Sequence, residues 1–141
     1  MDKIKVLFVC IHNSARSQMA EAYLNLLAGE RFEAFSAGIE PGALNPFAVE
    51  VMKEDGIDIS KNETKSVFDL YKKDMLFRYV IAVCDQASQQ CPIFPGTFER
   101  LNWSFPDPSG FTGTYWDKLQ GTRDVRNMIK KKIQEFVNSI K

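Results

Sequence analysis

The sequence predicts a single α/β domain over residues 1–141, three layers deep (α/β/α), around a four-stranded parallel sheet. Three observations carry this. Short apolar or β-branched runs alternate with longer segments of helical spacing, the order that produces helical crossovers and parallel pairing. The alternation continues to the end of the chain without an internal repeat, a low-complexity tract or a linker. And 141 residues, 45% of them apolar, make one ordinary domain with a real core.

The elements follow in order. KIKVLFV (3–9) is a buried strand. SQMAEAYLNLLAG (17–29) is a helix with Met19, Ala20, Tyr23, Leu24 and Leu27 at helical spacing and Gly29 as its stop. FEAFSAG (32–38) is a second strand closed by glycine. NPFAVEVMKEDG (45–56) opens a helix with Asn45 as N-cap and Pro46 in the first turn; Val49, Val51 and Met52 supply its apolar side and Gly56 its end. A third helical segment is expected around 65–74. RYVIAVC (78–84) is the most β-branched run and reads as a central strand. After the polar segment DQASQQC (85–91), FERLNWSF (98–105) is the last strand and PDPSGFTGTYW (106–116) a loop. From about Trp116 a long amphipathic helix carries Leu119, Val125, Met128, Ile129, Ile133, Phe136 and Val137.

Bulk properties exclude several function classes. The formal net charge is zero, so nothing calls for nucleic acid or an anionic membrane surface, and KKK at 130–132 reads as a solvated helix face. No apolar stretch is of membrane-spanning length, and MDKIKVLFVC does not have the pattern of a signal peptide, so a cytoplasmic setting is expected. Three cysteines and one histidine fit neither a disulfide framework nor a zinc site, and no metal is expected.

Chemistry is concentrated in CIHNSAR (10–16). Ligands of an open parallel sheet bind beyond the carboxyl ends of its strands, and Cys10 falls there, before a helix N-terminus that favours an anion. Successive N–H groups of Ile11, His12, Asn13, Ser14, Ala15, Arg16 and Ser17 would wrap a tetrahedral oxyanion, and the same field favours a Cys10 thiolate. Arg16 adds a planar fork for two oxygens, Asn13 suits a left-handed turn, and the Ser14 and Ser17 hydroxyls reach inward. A thiolate under a bound oxyanion is a nucleophile. The bland reading of the same residues is a buried strand-end cysteine beside a surface arginine.

CIHNSARSQMAEAY, with FSAGIEPGALNPFAVEVMKEDGIDIS downstream and CPIFPG later, resembles the low-molecular-weight protein tyrosine phosphatase superfamily, and more closely its thioredoxin-coupled arsenate reductases. The likeness covers nearly the whole chain and implies a phosphatase-like fold. Phosphatases of this fold need only the first cysteine. The resemblance implies a relay in which arsenate is attacked by Cys10, Cys84 takes over Cys10 and releases arsenite, and Cys91 moves the disulfide to Cys84–Cys91 for thioredoxin. DQASQQ would have to rearrange for that. Taken alone, Cys84 is equally a core filler and Cys91 a loop cysteine. Asp107, in SFPDPSG, matches the general acid of the resembled families, although Asp-Pro is also a common turn pair.

The sequence departs from the pattern at His12 and Ala15, and at Ser109, where phosphatases carry an aromatic after Asp-Pro. Phe111, Tyr115 and Trp116 lie close enough to wall a phenyl ring. Some related reductases bind potassium with residues like Asn13, Glu21 and Ser36; Lys65 stands near the place of a further aspartate, and no cofactor is expected. The expectation is an arsenate reductase, monomeric, acting on arsenate with thioredoxin. A tyrosine phosphatase and a non-catalytic oxyanion or redox sensor remain as alternatives.

Overall fold

The computed structural model describes residues 2–140, with the side chains of residues 85, 86 and 88 outside that description. Residues 1 and 141 of the expected domain therefore lie outside the described residues. The order is β1 (Ile4–Cys10), α1 (Arg16–Ala28), β2 (Phe32–Gly38), α2 (Pro46–Glu54), α3 (Val67–Lys72), β3 (Tyr79–Ala82), α4 (Asp85–Gln90), β4 (Glu99–Asn102) and α5 (Tyr115–Ser139). All pairings are parallel, in the order β2-β1-β3-β4.

Both sheet faces are covered. Val6, Leu7, Phe8 and Val9 of β1 are all fully buried, which one covered face would not produce. Alternation along β2 sorts the packing. Phe32 meets Phe136 of α5, whereas Phe35 points to the other face and meets Phe77, which packs on Phe94 and through it Tyr71 of α3. α1 packs on β2 and α5, and α2 on α5, while α4 lies against β1 and β3.

Local chemistry explains the boundaries. Asn45 caps α2 by accepting from the N–H groups of Phe47 and Ala48, with Pro46 behind it. Thr114 and Asp117 form a reciprocal capping box at the start of α5, one residue before the expected Trp116. Three helices are tied together by charge. Arg126 of α5 donates to Val51 O (2.7 Å) and Glu54 (2.8 Å), and Tyr23 of α1 donates to Asp55 (2.6 Å). Lys130, expected to be merely solvated, pairs with Asp55 at 3.5 Å.

Several expectations need correcting. β3 stops at Ala82, so Cys84 does not end a strand; it is the N-cap of α4. The polar segment after it is helical, because its six residues close a helical turn rather than extend. β4 is confined to Glu99–Asn102, with the Trp103 N–H donating its last bond, to Ala82 O at 2.7 Å. Leu27 and Met128 are exposed, lying off the buried stripes of their helices. Among the described residues no helix is long and apolar enough to cross a membrane.

Candidate active site

Cys10 is the last residue of β1 and is almost completely buried. Beyond it the chain is held by its carbonyls. Cys10 O accepts from Ile39 N–H (3.1 Å), Ile11 O from Glu40 N–H (2.7 Å), His12 O from Gly42 N–H (3.0 Å) and Ser14 O from Asn45 N–H (2.9 Å). These bonds use the outer side of the loop. The N–H groups of Ile11, His12, Ser14 and Ala15 have no protein partner among the described residues, and the α1 N-terminus follows at Arg16. Unpaired N–H groups at such a place bind an oxyanion.

Asn13 organises the loop. It adopts φ 54°, a left-handed conformation that asparagine tolerates better than most residues. Its N–H donates to Cys10 Sγ (3.1 Å) and its Nδ2 to Ser17 Oγ (2.8 Å). Ser17 Oγ accepts from Asn13 Nδ2 and lies 2.8 Å from Cys10 Sγ, so its own proton is available to the sulfur once that is a thiolate. The Asn13 N–H and the Ser17 hydroxyl thus converge on the sulfur. Asn13 Oδ1 accepts from Lys65 N–H (2.9 Å) and Gln18 Nε2 (3.1 Å), which fixes the amide's orientation.

Arg16 and Asp107 close the site from the other side. Arg16 donates to Phe105 O (3.1 Å), and its second terminal nitrogen lies 3.5 Å from Asp107 Oδ2. Asp107 is half-exposed, and its Oδ1 accepts from the N–H and hydroxyl of Ser109 (3.0 and 2.8 Å). Serine in place of an aromatic therefore orients the carboxylate. His12 does not point at the anion position. Its Nδ1 hydrogen-bonds Glu40 O at 2.8 Å, and its ring is exposed, lining a groove of about 490 Å³ with Ser14, Leu44, Phe47, Phe111 and Lys118. Tyr115 and Trp116, expected as walls, do not line it; Tyr115 packs on Phe47 and bonds Glu50.

Cys84 and Cys91 flank α4, both buried and both free thiols, like Cys10. Val9 of β1 pairs with Ala82 of β3, so Cys84, two residues further, emerges on the same carboxyl edge as Cys10. The thiol of Cys91 donates to Pro92 O (3.4 Å), and burial pushes its pKa up to about 11 against the opposing charge of Arg100. The expected mobility of the segment between the two cysteines rests partly on side chains 85, 86 and 88, which lie outside the described residues.

With this geometry established, comparison with known proteins is decisive. Residues 5–141 match the family described as low molecular weight phosphotyrosine protein phosphatase. The chain belongs to that family. Among curated relatives, arsenate reductase 2 of Staphylococcus epidermidis is 40% identical over 139 residues, covering 96% of this chain and 98% of the relative. A solved structure of an arsenate reductase in the oxidized state superposes with a TM-score of 0.81 at 29% identity, covering 97% of this chain and 98% of that one. A thioredoxin-dependent arsenate reductase of Corynebacterium glutamicum gives 0.72 at 28% identity, covering 98% of this chain and 62% of that longer one.

Within the family fold, two supporting residues escaped the sequence reading. Gln18 is fully buried; its Nε2 lies 3.2 Å from Asn13 O and 3.1 Å from Glu63 O, while its Oε1 accepts from Asn62. The available signal was an amide beside Met19 and Ala20 in the buried stripe of α1. Gly38 ends β2 directly under the loop. A β-carbon there would sit 2.7 Å from Ile11 O and 2.8 Å from Asn13 N, so the loop can lie where it does only over glycine.

Proposed function

We propose that the chain reduces arsenate to arsenite by a three-cysteine relay. Arsenate is held by the loop N–H groups, Ser17 and Arg16, with Asn13 fixing the loop's shape. Cys10 Sγ attacks arsenic, and Asp107 protonates the oxygen that leaves as water. The Cys84 thiolate then attacks Cys10 Sγ. The sulfur–arsenic bond breaks with its electron pair left on arsenic, so arsenite departs and a Cys10–Cys84 disulfide remains. Cys91 attacks Cys84, freeing Cys10 as thiolate, and thioredoxin reduces the Cys84–Cys91 disulfide. The observation that carries this reading is the placement of the second thiol. Cys84 opens on the same sheet edge as the loop-held Cys10, and Cys91 closes the short helix that Cys84 begins.

The relay works without a resident metal. Both lone pairs of Asn13 Oδ1 are taken by Lys65 N–H and Gln18, so it does not fit as a potassium ligand. Glu21, whose pKa is raised by burial, already feels the charge of Lys65, while the buried Ser36 hydroxyl lies near it without closing a hydrogen bond. A monomer in the cytoplasm completes the reading, where three free thiols stay reduced.

The test compares wild type, Cys84→Ser and Cys91→Ser on arsenate and on an aryl phosphate. Cys84→Ser should release no arsenite, and Cys91→Ser should not turn over with thioredoxin. Both should keep whatever hydrolysis of the aryl phosphate the loop supports. Wild-type arsenate turnover by Cys84→Ser sinks the relay. The groove beside His12 favours a second reading, an aryl phosphatase, since its apolar walls Leu44, Phe47 and Phe111 fit a ring. Fast hydrolysis without arsenate reduction in the wild type would select it.

A further inference from the structure

The third cysteine is buried at the end of α4, with its thiol proton engaged. Cys91 ends α4 on the sheet face opposite α5, over a pocket of about 150 Å³ lined by Val80, Ala82, Arg100, Leu101 and Asn102. Its thiol proton is spent on Pro92 O, and its surroundings are otherwise apolar on the β3 side. One charge reaches it among the described residues: Arg100, which pairs with Val80 across the β3–β4 ladder and so projects to the same face. The Arg100 Nη2 also donates to Cys91 O, at 3.5 Å, the residue that terminates the helix. α4 is therefore tethered at its far end to the edge strand, while its near end carries Cys84 toward Cys10.

We propose that Arg100 is a positioning residue for the second thiol–disulfide exchange, anchoring Cys91 at the end of α4 and supplying the positive charge against which its thiolate forms. This rests on the relay reading above. In the exchange, Cys91 gives its proton to solvent and its Sγ attacks Cys84 Sγ. The Cys10–Cys84 bond breaks, the Cys84–Cys91 bond forms, and Cys10 leaves as thiolate, with no net change in oxidation state. When Cys84 is drawn to Cys10 the helix between the two thiols opens from its near end. The tether keeps Cys91 over β3 and β4 rather than letting it drift with the opened turn. Among the described residues that line its pocket, β4 contributes the charged Arg100 with neutral Leu101 and Asn102, and β3 contributes Val80 and Ala82.

The experiment uses R100Q, which removes the charge and keeps a donor, and R100K, which keeps the charge and loses the fork. A single turnover is run with stoichiometric arsenate and no thioredoxin, and arsenite release and disulfide connectivity are followed in time. In R100Q, arsenite release should keep the wild-type rate and the arsenate KM should hold. The Cys10–Cys84 disulfide should accumulate, with the second exchange slowed about tenfold for each unit by which its pH profile moves upward. R100K should restore the pH profile. Phosphate binding by each variant reports that the loop remains folded. Formation of Cys84–Cys91 at the wild-type rate and pH profile in R100Q overturns the proposal. No arsenite release from the wild type overturns the relay instead, so the two failures are told apart.

Discussion

The loop around Cys10 and the helix between Cys84 and Cys91 contain the same reactive group in opposite settings. At Cys10 the sulfur accepts from Asn13 N–H and hydrogen-bonds the Ser17 hydroxyl, and these supporting groups are themselves supported. At Cys91 the thiol gives a hydrogen bond away to Pro92 O, and burial raises its pKa to about 11. One region is finished before substrate arrives, as electrostatic preorganisation requires. In the other the thiol is protonated and its proton is engaged. The proposed order of the relay, Cys10 first and Cys91 last, accords with that difference.

The comparison can be broken most severely at the loop. Arg16→Lys removes the fork that bridges Phe105 O and Asp107, and should lower arsenate turnover on the order of 10²-fold, read from steady-state kinetics. Gly38→Ala should come next: its β-carbon must displace Ile11 O and Asn13 N, costing about 1–3 kcal/mol in denaturant unfolding and abolishing phosphate binding. At the helix, the unoxidised chain should show Cys91 alkylation that is very slow at neutral pH and climbs as pH rises toward 11. The same raised thiol contributes stability that is complete below the ordinary thiol range near 9 and lost as pH rises through about 11. A neutral-pH alkylation rate equal to that of an unfolded cysteine would remove the contrast between the regions.

The smallest effect should lie far from both. Arg123 and Arg126 hold Glu54 down to about 2, against an ordinary value of 4.5. Its stabilising contribution is present above 4.5 and lost as pH falls toward 2. Because Glu54 is well exposed and solvent screens the pair, Glu54→Gln should cost under about 1 kcal/mol at neutral pH, with the difference vanishing in acid. Arsenate turnover should be unchanged.

The parts of the site legible in the sequence are those written in local order. Cys10, Asn13, Arg16 and Ser17 lie on one strand-to-helix connection, whose periods of two and 3.6 are visible on either side. The boundary of β3 was misplaced because Val83 and Cys84 are as β-prone as the residues before them. The last ladder bonds run from Val83 N–H to Val9 O and from Trp103 N–H to Ala82 O, and Cys84 then caps α4. α4 was hidden because six mostly polar residues show no apolar period. Gln18 and Gly38 were missed because their partners are distant in the chain, Glu63 in one case and Ile11 in the other.

By itself, then, the sequence determined the inventory: a cysteine heading a strand-to-helix loop that reaches an arginine, an aspartate after the last strand, and two further thiols. Tertiary structure decided the state of each. Whether a sulfur accepts or donates, and how far burial suppresses its charge, depends on groups such as Asn13 with Lys65, 52 positions apart, and Cys91 with Arg100 on the edge strand. Hydrogen bonds and desolvation act over a few ångströms, and only folding brings those residues within that range.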